Sequence, residues 1–380
     1  MMNRDDSRQY VFITPFLDEV KRIKNGCAGR KFVEPYYNSK KNKLESLKDL
    51  LADKRNIAST HALFKKYDDY TKSLIKNGRY TLIMDEVADV VEVLNVHEYS
   101  VGIMLRDNII RVDDSGTVFW QDEDYPNNDV WSDAMRAIKS GHVIMNNGKL
   151  MLWLFPVEVF DAFDEVIVLT YMFKAQMQRY YYDLCGAEYE YIGVNNEHQF
   201  CPVEEMNLDY SWLREKLHIL NDEKLNAIGD NQFALSVSWF EREASIRGSE
   251  SIPRLKANAE NVVRQRWGAS SGEILWSTFK DQKDKLSGRG YTRGFLEYNA
   301  RATNAYRDRK YLMYMVNVFF LVNIKVFFAG HGVVVLEDEY ALSVMLQWLW
   351  RSAIRDGKAV WMYIPSRRMR TLLINWLEEQ

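Results

Sequence analysis

Two adjacent carboxylates, Asp85-Glu86, close the run Tyr80–Met84 (YTLIM), and they are the most chemically informative pair in the chain. A run of that kind reads as a strand buried on both faces. Acids at its end lie at the carboxyl edge of a parallel sheet, where ligands bind in open α/β folds. There one carboxylate can hold the water shell of a magnesium ion while its neighbour orients or activates an attacking water. The plainer reading is a strand-end acid that caps the next helix. His198 and Cys201 have the spacing of half a zinc site, but no second half is visible, and ordinary loop residues account for them. The basic residues Arg289, Arg293, Arg301, Arg307, Arg309 and Lys310 form either a local phosphate-binding track or a solvated surface. A glycine-rich phosphate loop, GxxxxGK followed by Ser or Thr, is absent. Gly148-Lys149 runs into Leu150 and Gly357-Lys358 into Ala359.

The elements around the acid pair alternate short apolar runs with helical spacing, as a parallel sheet flanked by helices requires. Tyr10–Thr14 (YVFIT) predicts a buried strand and Phe16–Ile23 a helix. Leu44–Leu51 predicts a helix, and Asn56–Ser59 a short strand ending at Thr60-His61. Val101–Gln121 carries the turn signal Asp113-Asp114-Ser115-Gly116 and predicts a β-hairpin insertion. Asp129–Lys139 predicts a helix, Leu150–Phe155 and Val166–Thr170 strands, and Phe173–Cys185 a long helix. The polar stretch Gly193–Pro202 is the linker candidate. Beyond it, strands are expected at Phe233–Trp239, Glu273–Thr278, Gly294–Tyr298, Tyr311–Val316 and Val360–Ile364. Helices are expected at Ile252–Trp267, Tyr340–Arg355 and Ser366–Glu378. Two α/β domains follow, roughly 1–195 and 203–380.

Composition sets the frame. The 380 residues are 47% apolar and 27% charged, a globular balance whose length favours two cores. Most of the 11 Trp, 22 Tyr and 18 Phe are expected in those cores rather than stacked on bases. A net charge of −3 advertises no global basic field, although it can hide a local patch. Cys27, Cys185 and Cys201 are odd in number and far apart, which argues against a disulfide framework. The polar Met1–Gln9 cannot be a signal peptide. The apolar Tyr311–Phe328 is interrupted by Asn317, Asn323 and Lys325, so it reads as a buried strand entering a helix rather than a membrane span.

Several fragments also occur in a telling order. They are VFITPFLDEV (Val11–Val20), STHALF (Ser59–Phe64), MDEVAD (Met84–Asp89), VIVLTYMF (Val166–Phe173), ALSVSWF (Ala234–Phe240), ARATNAY (Ala300–Tyr306) and QWLWRSAIR (Gln347–Arg355). Together they resemble the motifs of superfamily 2 helicases, in particular phage-encoded DEAD/DEAH-like replication helicases. The resemblance implies two RecA-like P-loop NTPase lobes with parallel sheets, the first truncated at its N-terminus. It implies an ATP-dependent DNA or RNA helicase or translocase of a phage replication or recombination system. Asp85 would hold magnesium through water, and Glu86 would handle the attacking water. Gln347, Arg351 and Arg355 would share one helical face toward the ATP. Thr14, Thr60, His61, Thr170 and Asn304 would couple nucleotide to strand. ATP and magnesium are the implied cofactors. DNA, single-stranded or forked, ranks ahead of RNA as partner, with other replication proteins beside it, no membrane, and the host cytoplasm as location.

Only Thr170 keeps the coupling motif's chemistry, and the second arginine follows the first by four residues instead of three. Met1–Ser7 would be the tail of the helix that follows a phosphate loop. A truncated reading, one part of a split protein, and a degenerate relative that still binds nucleic acid all remain open. In each case the chain alone is expected to bind ATP poorly. A non-catalytic nucleic-acid-binding or partner protein is the alternative, and a packaging ATPase-nuclease ranks last.

Overall fold

The computed structural model describes residues 8–27, 29–195, 197–206, 209–300 and 303–379. They divide into two compact units, one of Met1–Ala187 with Asn323–Val335 and one of Glu188–Val322 with Leu336–Gln380. The α/β expectation holds in both, since each unit is built on a parallel sheet.

In the first unit the strands are β1 (Gln9–Thr14), β2 (Phe32–Val33), β3 (Asn56–Thr60), β4 (Tyr80–Asp85), β5 (Val91–Val93), β6 (Ile110–Val112), β7 (Val118–Trp120), β8 (Val143–Asn146), β9 (Leu150–Leu154) and β10 (Glu165–Leu169). The main sheet runs β10-β4-β1-β3-β2 with every pairing parallel. Its central strands explain the apolar runs. Val11, Leu82 and Met84 are wholly buried, each contributing about 1.5–3 kcal/mol relative to an exposed side chain.

The hairpin expected between Val101 and Gln121 is present as β6–β7, with the Asp113 carboxylate accepting from the Ser115 and Thr117 N–H groups at 3.0 and 2.9 Å. It is only part of the insertion. Val101 lies in the helix Glu98–Arg106, and β5, β9 and β8 form an antiparallel sheet. Val101, Met104, Ile110, Val118, Ile138 and Met151 share a hydrophobic core, so the insert between β4 and β10 is a packed subdomain. Asn323–Val335 also belongs to this unit. Asn323 O accepts from Asn146 Nδ2 at 3.4 Å, Val334 O accepts from Arg179 Nη1 at 3.1 Å, and the Phe328 ring lies 5.8 Å from that of Tyr180.

The second unit holds β11 (Ile192–Val194), β12 (Phe200–Pro202), β13 (Leu217–Ile219), β14 (Ile274–Ser277), β15 (Tyr311–Tyr314) and β16 (Val360–Tyr363). Its parallel sheet runs β13-β16-β15-β14. Trp276, Met313 and Tyr363 are in register on one face and pack with Phe240, Leu255 and Val262. The apolar Tyr311–Phe328 is a buried strand followed by the helix Val322–Gly330, as its composition requires.

Two expected strands are corrected. Phe233–Trp239 is a turn leading into the helix Val237–Ser245, because Leu235 is held at φ 64 and the Ser236 hydroxyl accepts from Trp239 N at 3.2 Å as an N-cap. Gly294–Tyr298 makes only an isolated bridge, Trp276 with Phe295, after the 3-10 turn Thr292–Gly294. The linker candidate Gly193–Pro202 spans most of the antiparallel hairpin β11–β12. No helix of the described residues is long and apolar enough to cross a membrane.

Candidate functional site

The carboxyl ends of β1, β3, β4 and β10 lie side by side, and they carry most of the residues singled out in the first half of the chain. Thr14 and Thr60 are in register across β1 and β3, and Leu169 is in register with Asp85. The buried Thr14 hydroxyl donates to Asp85 Oδ2 at 3.4 Å, a long contact that a small shift would tighten or free. His61 is buried, with Nε2 3.2 Å from the Asp85 carbonyl oxygen. The neighbouring carboxylate is placed differently. Glu86 adopts φ 67, its N–H bonds Leu169 O at 2.9 Å, and its carboxylate accepts from the Thr170 hydroxyl at 3.4 Å. A left-handed backbone on a non-glycine residue costs about 1 kcal/mol or more, and such positions gather at functional sites. Here it turns consecutive carboxylates toward different hydroxyls, Asp85 to that of β1 and Glu86 to that following β10.

Gln178 holds the chain just beyond the acids. It is wholly buried on the helix Met177–Cys185, where Oε1 accepts from Ala88 N at 2.8 Å and Nε2 donates to Tyr182 at 2.7 Å. Sequence reasoning missed it, although a lone amide among tyrosines on an apolar helix is a readable signal of a satisfied core polar group.

The donor set is hard oxygen: two carboxylates and threonine hydroxyls. Among the described residues no three His, Cys, Asp or Glu side chains form a metal cluster. Hard-oxygen donors of this kind suit a hard divalent cation such as magnesium, which is usually held by one or two carboxylates with water and substrate phosphates completing the shell. In that arrangement Asp85 would hold the ion through water, with Glu86 beside it.

A groove of about 850 Å³ opens at the ends of β1 and β3. Its lining includes Phe16, Tyr37, Lys21, Lys43, Thr60 and Lys66. Phe16 is 45% exposed and Tyr37 75%. Local sequence fixes one wall: Asn42 caps the helix Lys43–Ala52, accepting from Leu44 N and Glu45 N while Glu45 returns the bond to Asn42 N at 2.7 Å. Phe16, Tyr37 and the lysines escaped the sequence reading because they come from three separate segments.

The predicted residues of the second unit are brought together only in part. Arg355 Nη1 donates to Asn304 Oδ1 at 2.6 Å. Gln347, Arg351 and Arg355 do not share a helix, which corrects the expected common face. The helix Glu337–Leu349 ends before Arg351, and Arg355 lies in the separate 3-10 helix Ala353–Asp356. Ser352 causes the break: its backbone is extended at ψ −172, and its hydroxyl donates to Leu349 O at 2.7 Å. The basic track is partly committed to the unit's own structure. Arg307 Nε bonds both Asp356 carboxylate oxygens at 2.8 Å, and that hydrogen bonding holds the Asp356 carboxyl below its ordinary range. Arg309 Nη1 donates to the Gly272 carbonyl. Arg289, Arg293 and Lys310 are exposed, and Arg301 lies outside the described residues.

Residues 211–377 match the profile of the YonV C-terminal Rossmann-like domain. The chain is 40% identical over 395 residues to the SPbeta prophage-derived uncharacterized protein YonV of Bacillus subtilis (strain 168), covering 100% of this chain and 95% of that protein. Among solved structures it is similar to S. tokodaii Xpd4, at 10% identity over 97% of this chain and 88% of that one, with a TM-score of 0.45. It is also similar to the DUF1998 helicase MrfA bound to DNA and AMPPNP, at 9% identity over 100% of this chain and 45% of that one, with a TM-score of 0.29.

Proposed function

The chain belongs to the YonV family of prophage proteins, and from that premise we propose that it acts on nucleic acid as a helicase-type body whose first unit carries the metal end of a nucleoside-triphosphate site. The observation that carries this reading is the gathering of Thr14, Thr60, His61, Asp85, Glu86 and Thr170 at adjacent carboxyl ends of one parallel sheet. Asp85 would bind magnesium through water, with Thr14 restraining its carboxylate. Glu86 would accept a proton from, or orient, a water at the phosphoryl group, with Thr170 sensing its position. Magnesium would supply neutralisation of charge on the phosphate oxygens. In the second unit Arg355 and Asn304 act as a pair, so the arginine's orientation depends on the segment proposed to touch the strand.

The groove beside Thr60 supplies the nucleic-acid half. Exposed aromatic rings offer stacking surfaces and lysines offer phosphate contacts, the combination used by proteins that hold single strands without reading sequence. DNA is the preferred strand. The sequence has no glycine-rich phosphate loop, so triphosphate affinity of this chain alone is weak. That absence favours a second reading, a nucleic-acid-binding protein with no turnover.

The two readings separate in one titration. Labelled single-stranded DNA is bound to the wild type and to Asp85→Asn, with and without millimolar magnesium-ATP. Coupling predicts that magnesium-ATP shifts DNA affinity in the wild type and leaves Asp85→Asn unchanged. DNA binding indifferent to magnesium-ATP in both proteins selects the second reading, and absence of DNA binding contradicts both. Magnesium-dependent hydrolysis at micromolar ATP would overturn the weak-affinity expectation.

A further inference from the structure

The hairpin β11–β12 is built as a contact surface. Its register pairs Ile192 with Pro202, Gly193 with Cys201 and Val194 with Phe200. Side chains alternate across a strand, so Ile192, Val194, Phe200 and Pro202 share one face while Gly193 and Cys201 share the other. The second face is covered: Gly193 is buried, and a Cβ there would lie 2.1 Å from the Met206 side chain. The first face is open. Ile192 is 53% exposed, Val194 46% and Phe200 56%, with Tyr191 and Val203 beside them at 45% and 41%. Isolated two-stranded ribbons are marginal in water, and a contiguous exposed apolar surface on one marks an interaction site.

Charge selects the occupant. Glu188, Glu190, Glu197, Glu204 and Glu205 flank the two strands and their turn along the chain, all exposed, and no Lys or Arg occurs from Glu188 to Met206. Nucleic acid and anionic lipid are repelled by such a rim. A second copy of the ribbon would bring the same carboxylates against themselves. A polypeptide with apolar side chains flanked by Lys or Arg satisfies both the face and the rim, since complementary rims steer encounter and suppress wrong partners. We propose that this ribbon docks a basic, apolar-bearing segment of a partner protein. The site stands apart from the nucleic-acid reading and does not depend on it.

The test uses the full chain and a fluorescent peptide of alternating lysine and valine, with an alternating glutamate–valine peptide and single-stranded DNA as comparisons. The wild type should bind the lysine peptide, more weakly as salt rises. I192S/V194S/F200S should lose about tenfold or more in affinity while keeping its circular dichroism and melting. E190Q/E204Q/E205Q, which alters only exposed side chains, should flatten the salt dependence. Equal peptide binding by the wild type and the apolar variant overturns the proposal. So does tighter binding of the glutamate peptide, competition by DNA at the ribbon, or self-association that F200S abolishes.

Discussion

Asn317→Ala gives a worked measure of how the second unit holds its carboxyl edge. Asn317 is buried just beyond β15. Its Nδ2 donates to Gln232 O at 2.8 Å and Ala234 O at 3.0 Å, and its Oδ1 accepts from Arg368 Nη1 at 3.0 Å. Neutral bonds of this kind are worth about 0.5–1.5 kcal/mol each, and one from a charged donor about 1.5–3 kcal/mol. Arg368 Nη1 keeps a second acceptor, Val318 O at 2.6 Å, so the charge-assisted share is only partly lost. The expected destabilisation is about 3–5 kcal/mol, a fall in melting temperature on the order of 10 °C for a unit of this size. Scanning calorimetry on the second unit's transition reads it directly. Asn304→Ala is the control, because that exposed side chain accepts one bond, from Arg355, and should change stability by no more than about 0.5 kcal/mol. A fall of less than about 2 °C for Asn317→Ala would mean that the two carbonyls find other donors at no cost and that Asn317 does not hold this edge.

Other expected outcomes are more local. Glu86→Gly should leave stability unchanged or raise it by up to about 1 kcal/mol in thermal melting, since the residue sits at φ 67 and its N–H bond to Leu169 O is kept. A loss above about 1 kcal/mol would show that the backbone there is not strained. In the groove, Tyr37→Ala should cost about 1–3 kcal/mol of single-stranded DNA affinity, read by fluorescence anisotropy. Lys43→Gln with Lys66→Gln should instead reduce the slope of log affinity against log salt by about 1–2. Asp222 caps a helix, and backbone hydrogen bonds from Leu225 and Lys224, with Arg266 nearby, hold its carboxyl below the ordinary 3.8. A depressed carboxyl contributes stability that is present above its unfolded value and lost as pH falls through the folded one. Melting temperature should therefore drop less steeply below pH ~4 in Asp222→Asn than in the wild type, and identical profiles would remove this carboxylate from the acid limb.

The first unit's main strands were readable because β1, β4 and β10 are runs of apolar residues that no helix period explains, and the acid edge follows from where β4 ends. What escaped has physical causes. β13 is three residues, Leu217–Ile219, set among charges in LREKLHILND, too short to show alternation. Ala234–Phe240 is apolar enough for a strand, but a serine cap and a left-handed Leu235 redirect it into a helix. In the insert between β4 and β10 the hairpin, the helix ending at Lys139 and the strand from Leu150 are legible singly, but their union as one subdomain is not, because its core joins Val101, Ile138 and Met151 from segments far apart in sequence. The arginine segment illustrates the same limit: periodicity places Gln347 and Arg351 one turn apart, but the helix ends at Leu349, before both arginines, and the extended Ser352 separates Arg351 from the 3-10 helix that holds Arg355.

The metal end of a triphosphate site, proposed at Asp85 and Glu86, can be located directly. Manganese can replace magnesium in a nuclear magnetic resonance titration with saturating triphosphate, so that the ion's paramagnetism broadens the amides nearest to it. Broadening should centre on Thr14, His61, Asp85 and Thr170 and be abolished in Asp85→Asn. Broadening elsewhere in the chain, or broadening unchanged by that substitution, would contradict that placement.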